Sequence, residues 1–463
     1  MSNDALPDPA PRARRLTGGP PMKSLRVRLK TITPILGGSS AARELDELDP
    51  LRAPSIRGHL RFWWRALHGH ACATPAELAR RERELWGGMG KEQGTRSRVE
   101  VRVEVEPRTV SRDDGRIDQR ARGAYALWVA SKPLAPRWHS SLCFHLHLLA
   151  PAERFSEVEG ALRAWVLWGG YGSRTRRGLG ALTVVDDAAA WLPRQPTREE
   201  WSRLFPELPL FGALPPGGAK QVPLLRGARL LYGASRPGAD DAWEVALGWL
   251  REFRQGEGRL PQGSRVASPG KKGEGRSATA REPRPERPGR SYWPEADKVR
   301  QLFSPPKGTS WAHPPRPACA GKAVAWPRAG FGLPLAIRFQ RTARPKTPGG
   351  RGAPYAEPPD VELRWHDGTR VRERFASPLI VKAMPLADGS FVPIALWLRR
   401  AWPEKGQVVL MGKAREPVRG SAAPFDRLLA PGDTALYAPL VAENLEEAFL
   451  GWVKGFSGVK EST

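Results

Sequence analysis

Between residues 25 and 185 the apolar residues recur first with the period of a strand, then of a helix, in an order that few folds can accommodate. Leu25 to Thr33 reads Leu-Arg-Val-Arg-Leu-Lys-Thr-Ile-Thr, a strict alternation that makes a half-buried strand with a basic outer face. Pro34 stops it, and Gly37-Gly38-Ser39-Ser40 opens a long loop. Ser55 is the candidate N-cap of a helix carrying Arg57 to Leu67, and a second helix from Pro75 to Trp86 ends at Gly87-Gly88. Val99 to Glu106 and Ser141 to Leu149 read as strands on either side of a polar stretch, Pro107 to Arg122, expected to be a hairpin tip or a mobile insertion. Ala152 to Trp168 has the helical period, and Leu179 to Val185 is again a strand. The order is β-α-β-β-α-β, the ferredoxin-like arrangement that RNA-recognition modules also use.

The second half repeats the pattern less cleanly. Asp241 to Phe253 reads as a helix; Leu333 to Gln340, Val361 to Trp365, Arg370 to Phe375, Leu379 to Ala383 and Phe391 to Leu398 are strand candidates; Glu443 to Val453 is a terminal helix. Gln255 to Arg290 is rich in Gly, Pro, Ser, Arg and Glu and nearly devoid of large apolar side chains, which predicts a long flexible excursion. The expected fold class is therefore α+β, with two ferredoxin-like (RRM-like) modules carrying helical and loop insertions. Residues 1–22 are expected to be a disordered basic tail, 23–190 the first module, and 191–463 the second, with 255–290 inside it.

A phosphate-bearing partner is suggested by the run from Trp168 to Gly180, Trp-Gly-Gly-Tyr-Gly-Ser-Arg-Thr-Arg-Arg-Gly-Leu-Gly. Glycine lets the backbone approach a ligand closely, so the loop amides are expected to cradle phosphate, and arginine offers phosphate a planar, permanently charged fork. Gly170, Gly172, Ser173, Arg174, Arg176 and Arg177 are the candidate contacts, with Tyr171 a platform for an unpaired base or a ring packed on the sheet. On the first helix Arg57, Arg61 and Arg65 recur at i, i+4 and i+8, a basic ridge or a solvated face. Lys and Arg total 74 against 48 Asp and Glu, a formal net charge of +26, which favours nucleic acid over an anionic membrane. No run of about 18 apolar residues suggests a membrane span, and Met1 to Pro21 has no apolar h-region. Cys72, Cys143 and Cys319 are far apart and lack ligand spacing, as expected of a protein of the reducing cytoplasm.

Thr33-Pro34-Ile35-Leu36-Gly37-Gly38, Pro54-Ser55-Ile56-Arg57-Gly58-His59-Leu60-Arg61-Phe62-Trp63-Trp64-Arg65, the Gly169 to Gly180 loop and Arg374-Phe375-Ala376-Ser377-Pro378-Leu379-Ile380 follow one another along most of the chain. Together they resemble the RAMP superfamily of CRISPR proteins and, more narrowly, the family of first subunits of the type III-B (Cmr) effector complex. The resemblance implies a non-catalytic subunit in antiviral defence that contacts CRISPR guide RNA, target RNA or both, and docks on other RAMP subunits. It implies RNA-binding roles for Gly37, Gly38, Arg57, Gly58, Arg61, Gly170, Gly172, Ser173, Arg174, Arg176 and Arg177. No metal or cofactor is expected.

Two alternatives come from other function classes. An endoribonuclease would use His59, on the arginine-bearing helix, yet no second acid–base group announces itself beside it. His145 and His147 share one strand face without a third ligand, and Asp46, Glu47 and Asp49 lie on the loop before the helix. The other alternative is a protein-only assembly factor whose charge is incidental.

Overall fold

The computed structural model describes residues 20–39, 44–90, 93–113, 122–127, 137–214, 221–255, 281–284, 287–291, 293–311, 315, 326–339, 355–403, 405–412, 417–418, 442 and 444–462. Most of the N-terminal tail, residues 114–121 of the polar stretch and most of the 255–290 excursion lie outside the described residues.

Four strands build the first sheet: β1 (Met22–Thr31), β2 (Glu100–Val105), β3 (Cys143–Pro151) and β4 (Leu182–Val184). They lie in the order β2-β3-β1-β4, every pair antiparallel. Alternation sets the faces: Val27, Leu29 and Thr31 of β1 are buried, while Arg26 and Lys30 are exposed. On the buried side lie α1 (Ala53–His68) and α3 (Phe155–Trp168), with α2 (Pro75–Trp86) following α1. Helix α1 begins two residues before the expected cap, at Ala53, with Pro54 in its first turn and no side-chain cap from Arg52. Proline fits there because its missing N–H is one that no helix bonds. Helix α2 is capped by Thr74, whose Oγ1 accepts from the Glu77 N–H (3.1 Å) while Glu77 Oε2 accepts from Ala73 N–H (2.8 Å).

The second half contributes β5 (Leu224–Tyr232), α4 (Ala239–Gln255), α5 (Pro294–Leu302), β6 (Leu335–Ile337), β7 (Val361–His366), β8 (Leu379–Pro385), β9 (Phe391–Arg399), β10 (Gln407–Met411), α6 (Leu445–Lys454) and β11 (Lys460–Ser462). Strands β8-β9-β5-β11 form a second antiparallel sheet in that order, the same connectivity as the first. A separate small sheet combines β6 and β7, which lie between α4 and β8 in the chain, with β10, which follows β9, and has its own core of Val299, Trp326, Leu363, Trp365 and Leu410.

Strand β8 is buried along its whole length because it is covered on both faces. Ile380 and Met384 pack with α1 and α3; Leu379, Val381 and Ala383 pack with Trp243 and Leu247 of α4 and Phe449 of α6. The layers therefore run sheet, helices, sheet, helices. Helix α3, between the two sheets, buries Phe155, Val158, Leu162, Trp165, Val166 and Trp168 around its circumference. No helix among the described residues is long and apolar enough to cross a membrane.

Candidate nucleic-acid interface

The glycine loop is shaped by its own backbone. After α3 ends, Trp165 Nε1 donates to Gly170 O (2.9 Å), and the chain doubles back so that Tyr171 N–H bonds Gly180 O (2.9 Å). Gly180 N–H then reaches Pro34 O (2.9 Å), and Ser173 N–H reaches Leu36 O (2.9 Å). Thr33 Oγ1 closes the joint, donating to Gly178 O (2.6 Å) and accepting from Ala181 N–H (2.9 Å). Two stretches singled out separately in the sequence, 33–38 and 169–180, thus meet. A Cβ on Gly180 (φ 62°) would stand 1.9 Å from Tyr171 O, so the backbone crossing itself demands glycine. The expectation that loop amides cradle phosphate is corrected in the same terms. The N–H groups of Tyr171, Ser173, Arg177, Gly178 and Gly180 are already bonded within the fold.

Tyr171 is likewise corrected as a stacking platform. Its ring is 2% exposed, edge-on to His59, and its hydroxyl accepts from Arg52 N–H (2.9 Å). Arg61 is no free cation either: its Nε donates to Glu82 Oε1 (2.6 Å), which also accepts from Arg65 Nη1 (2.5 Å). The ridge expected along α1 is therefore half neutralised by α2. Arg57 remains without a hydrogen bond or ion pair among the described residues, next to exposed Gly58. Gly37 (φ 74°) and Gly38 (φ 139°) turn the neighbouring loop, with Ser173 exposed beside Gly37. On the loop before α1, Asp46 pairs with Arg52, which holds its carboxyl below the usual range, and Glu47 pairs with Arg112.

The loop arginines project where the helices of the first sheet meet the second sheet. Arg174 Nη1 donates to Ala126 O (2.8 Å). Arg176 donates to Ser377 O and lies 5.6 Å from the Phe62 ring; Arg177 lies 5.6 Å from the Tyr125 ring. Burial lowers both pKa values to about 10, with Arg254 and Arg174 adding like-charge repulsion at Arg177, and both guanidiniums stay charged at neutral pH. No carboxylate of a described residue pairs with either. Trp243 Nε1 donates to Arg177 O (2.7 Å), fastening the loop to α4.

Lys382, on β8, was not singled out from the sequence. It is fully buried, and its Nζ donates to Val166 O (3.1 Å) and Gly169 O (2.9 Å) at the C-terminal end of α3. The negative end of the helix dipole faces it, yet burial still lowers its pKa to about 7. A lone lysine in the apolar run Leu-Ile-Val-Lys-Ala-Met was the signal available.

Beside Arg176 opens a cleft of about 200 Å³ lined by His59, Phe62, Trp63, Gly169, Gly170 and Thr175. His59 stacks on Trp165 (centroids 5.9 Å apart, planes 10° apart), and burial lowers its pKa to about 4, so the ring is neutral at pH 7. His145 and His147 lie on the outer face of the first sheet, 3.5 Å from Glu106 and Glu104 respectively. Among the described residues no group of three or more His, Cys, Asp or Glu could hold a metal ion.

Residues 28–183 match the RAMP superfamily. A curated relative, the CRISPR system Cmr subunit Cmr1-1 of Pyrococcus furiosus, is 27% identical over 148 residues, 30% of this chain and 42% of the relative. The matched stretch thus spans less than half of that relative's length. Among solved structures, the apo crystal structure of Cmr1 from Pyrococcus furiosus aligns over 95% of this chain and 98% of that one, at 14% identity and a TM-score of 0.47. A chain of the type III-B Cmr-beta complex bound to cognate target RNA aligns over 83% of this chain and 96% of that one, at 12% identity and a TM-score of 0.40.

Proposed function

We propose that this chain, a RAMP-superfamily protein through residues 28–183, is an RNA-binding subunit of a cytoplasmic type III-B (Cmr) RNA-guided effector complex that holds RNA rather than cutting it. In this reading it is two ferredoxin-like modules, 23–190 and 191–463, that touch guide RNA, target RNA or both and dock on neighbouring RAMP subunits. The carrying observation is the set of arginines on the 174–177 loop, where Arg176 has a carbonyl and a ring partner and Arg177 a ring partner, and neither has a carboxylate among the described residues. Guanidiniums left unneutralised at a surface joint suit a polyanion whose phosphates replace the missing counter-charges. Arg57, Gly58 and Ser173 extend the same surface. Holding rather than cutting is supported by His59, whose buried neutral ring sits on Trp165 and lacks the protonated form a general acid needs.

The test is fluorescence anisotropy with labelled single-stranded RNA over a salt series, with and without Mg²⁺, followed by gel analysis of RNA length. We expect sequence-tolerant binding that weakens steeply with salt and leaves the RNA intact. Contacts from Arg57, Arg174, Arg176 and Arg177 would give a log–log slope of roughly −3 on a single strand. Shortened RNA, with cutting lost in His59→Ala, would replace this reading with the endoribonuclease. An absence of RNA binding at low salt would leave the protein-only assembly role.

A further inference from the structure

Arg400 follows the last residue of β9 and points its guanidinium back toward the glycine loop of the other module. Nη1 donates to Ala376 O (3.1 Å), and Cζ lies 4.1 Å from the Phe375 ring centroid and 5.0 Å from that of Trp402. Nε and Nη2 are buried and have no hydrogen-bond partner among the described residues. Those two atoms form the edge with which arginine grips two oxygens of one phosphate. Donors hidden from water are normally bonded, so a fork left empty by the described residues stands ready for an incoming acceptor.

Arg176 meets it there. Its guanidinium donates to Ser377 O, the carbonyl following the one that Arg400 uses, so two cations from two modules converge on one stretch of two residues. Burial and, after it, the charge of Arg176 together lower the Arg400 pKa to about 10, a like-charge pairing with no carboxylate of a described residue between them. The carboxylate lining the cleft beside Arg400, Glu446, is 3.7 Å from Arg399 instead. The cleft lined by Phe62, Trp63 and Thr175 also includes Arg176, which places a ring-lined space for a nucleotide next to the two cations.

We infer that Arg400 and Arg176 form a two-module fork that takes one backbone phosphate of single-stranded RNA. This rests on the RNA-binding reading above and adds a residue from the second module to a site otherwise built by the first. The phosphate would sit against the Nε–Nη2 edge of Arg400 and bring the two guanidiniums together by cancelling their repulsion.

The test compares the full chain with Arg400→Met and Arg400→Lys, after far-ultraviolet circular dichroism and thermal midpoints establish that each variant folds. Arg400→Met should weaken RNA binding about tenfold and make the salt slope shallower by about 0.7. Arg400→Lys should recover the slope but not the affinity, because an ammonium keeps the charge and loses the fork. A series of RNAs each carrying one neutral methylphosphonate should show one position whose replacement weakens the wild type and leaves Arg400→Met unaffected. Wild-type affinity in Arg400→Met, with binding still lost in Arg177→Ala, sinks the fork and spares the RNA reading. Failure of the wild type to bind RNA sinks both. Unchanged RNA binding with loss of an acidic partner subunit would assign the fork to a protein carboxylate and overturn the proposal.

Discussion

Replacing Lys382 by methionine should remove a pH dependence of stability that its burial creates. The lysine is 0% exposed, is held by two carbonyls, and has no carboxylate partner among the described residues; its pKa is about 7 against an ordinary 10.5. The sign follows from which state holds the proton more tightly. Between about pH 7 and 10.5 the unfolded chain keeps the ammonium protonated while the folded chain tends to release it, so stability rises with pH through that window. Below pH 7 both states are protonated and the full penalty of burying the charge is present. A shift of this size corresponds to a penalty on the order of 5 kcal/mol, gained back at roughly 1 kcal/mol or slightly more per pH unit. The assay is urea unfolding of wild type and Lys382→Met at half-unit steps from pH 6.5 to 9.5, followed by tryptophan fluorescence. The difference between the two proteins should be flat below pH 7 and then move steadily in favour of the wild type. Parallel curves across the whole range would show that Lys382 is not a buried charge and would refute the placement of β8 against the end of α3.

Arg61→Ala should lower unfolding stability by about 1 kcal/mol through loss of a half-buried ion pair to Glu82, while RNA affinity in the anisotropy assay stays within about twofold. Tyr171→Phe should cost about 1 kcal/mol by leaving the Arg52 N–H without its acceptor, and should leave RNA binding unchanged. A large loss of affinity in either variant would return that residue to the RNA surface.

The strands with clean alternation were legible in the sequence. The predicted Val99 to Glu106 and Ser141 to Leu149 correspond to β2 at Glu100–Val105 and β3 at Cys143–Pro151. Strand β5 was not legible, because a register shift between Leu224 and Arg229 around Gly227 (φ 74°) breaks the period of two. Of the expected strand from Arg370 to Phe375 only Val371–Arg372 forms a strand, with Phe375 in an isolated bridge to Leu333, and β11 is three residues long, too short to carry any period. The residue types of the interface were readable, but their partners were not. Glu82 lies 21 residues from Arg61 on a different helix, so nothing in the spacing of Arg57, Arg61 and Arg65 reveals which of them is neutralised. Tyr171 points inward because a backbone N–H from the loop before α1 awaits its hydroxyl, a tertiary fact with no local sequence mark.

The same geometry argues against binding on the open face of the first sheet, where an RRM-like module would be expected to stack bases. There the exposed side chains include Arg26 and Glu104, which pair, Arg102 and Glu100, which pair, and Lys30, beside half-buried His145 and His147, and Arg28 is locked in a bidentate pair with Glu106 (2.7 and 3.0 Å). With every arginine of that face paired, Lys30 alone offers a polyanion little, and no Phe, Tyr or Trp among these residues offers a platform. The arginines near the glycine loop are in the opposite condition, with rings and carbonyls around them. The loop they occupy is held from the second module by Lys382 on Gly169 O, Trp243 on Arg177 O, and Ser377 O under Arg176. Any displacement of the second sheet relative to α3 would therefore move the cations together with the backbone that carries them. Packing of the second sheet on α1 and α3 and the shape of the candidate RNA site are consequently one structural variable, and substitutions buried at that joint should alter RNA affinity without touching RNA.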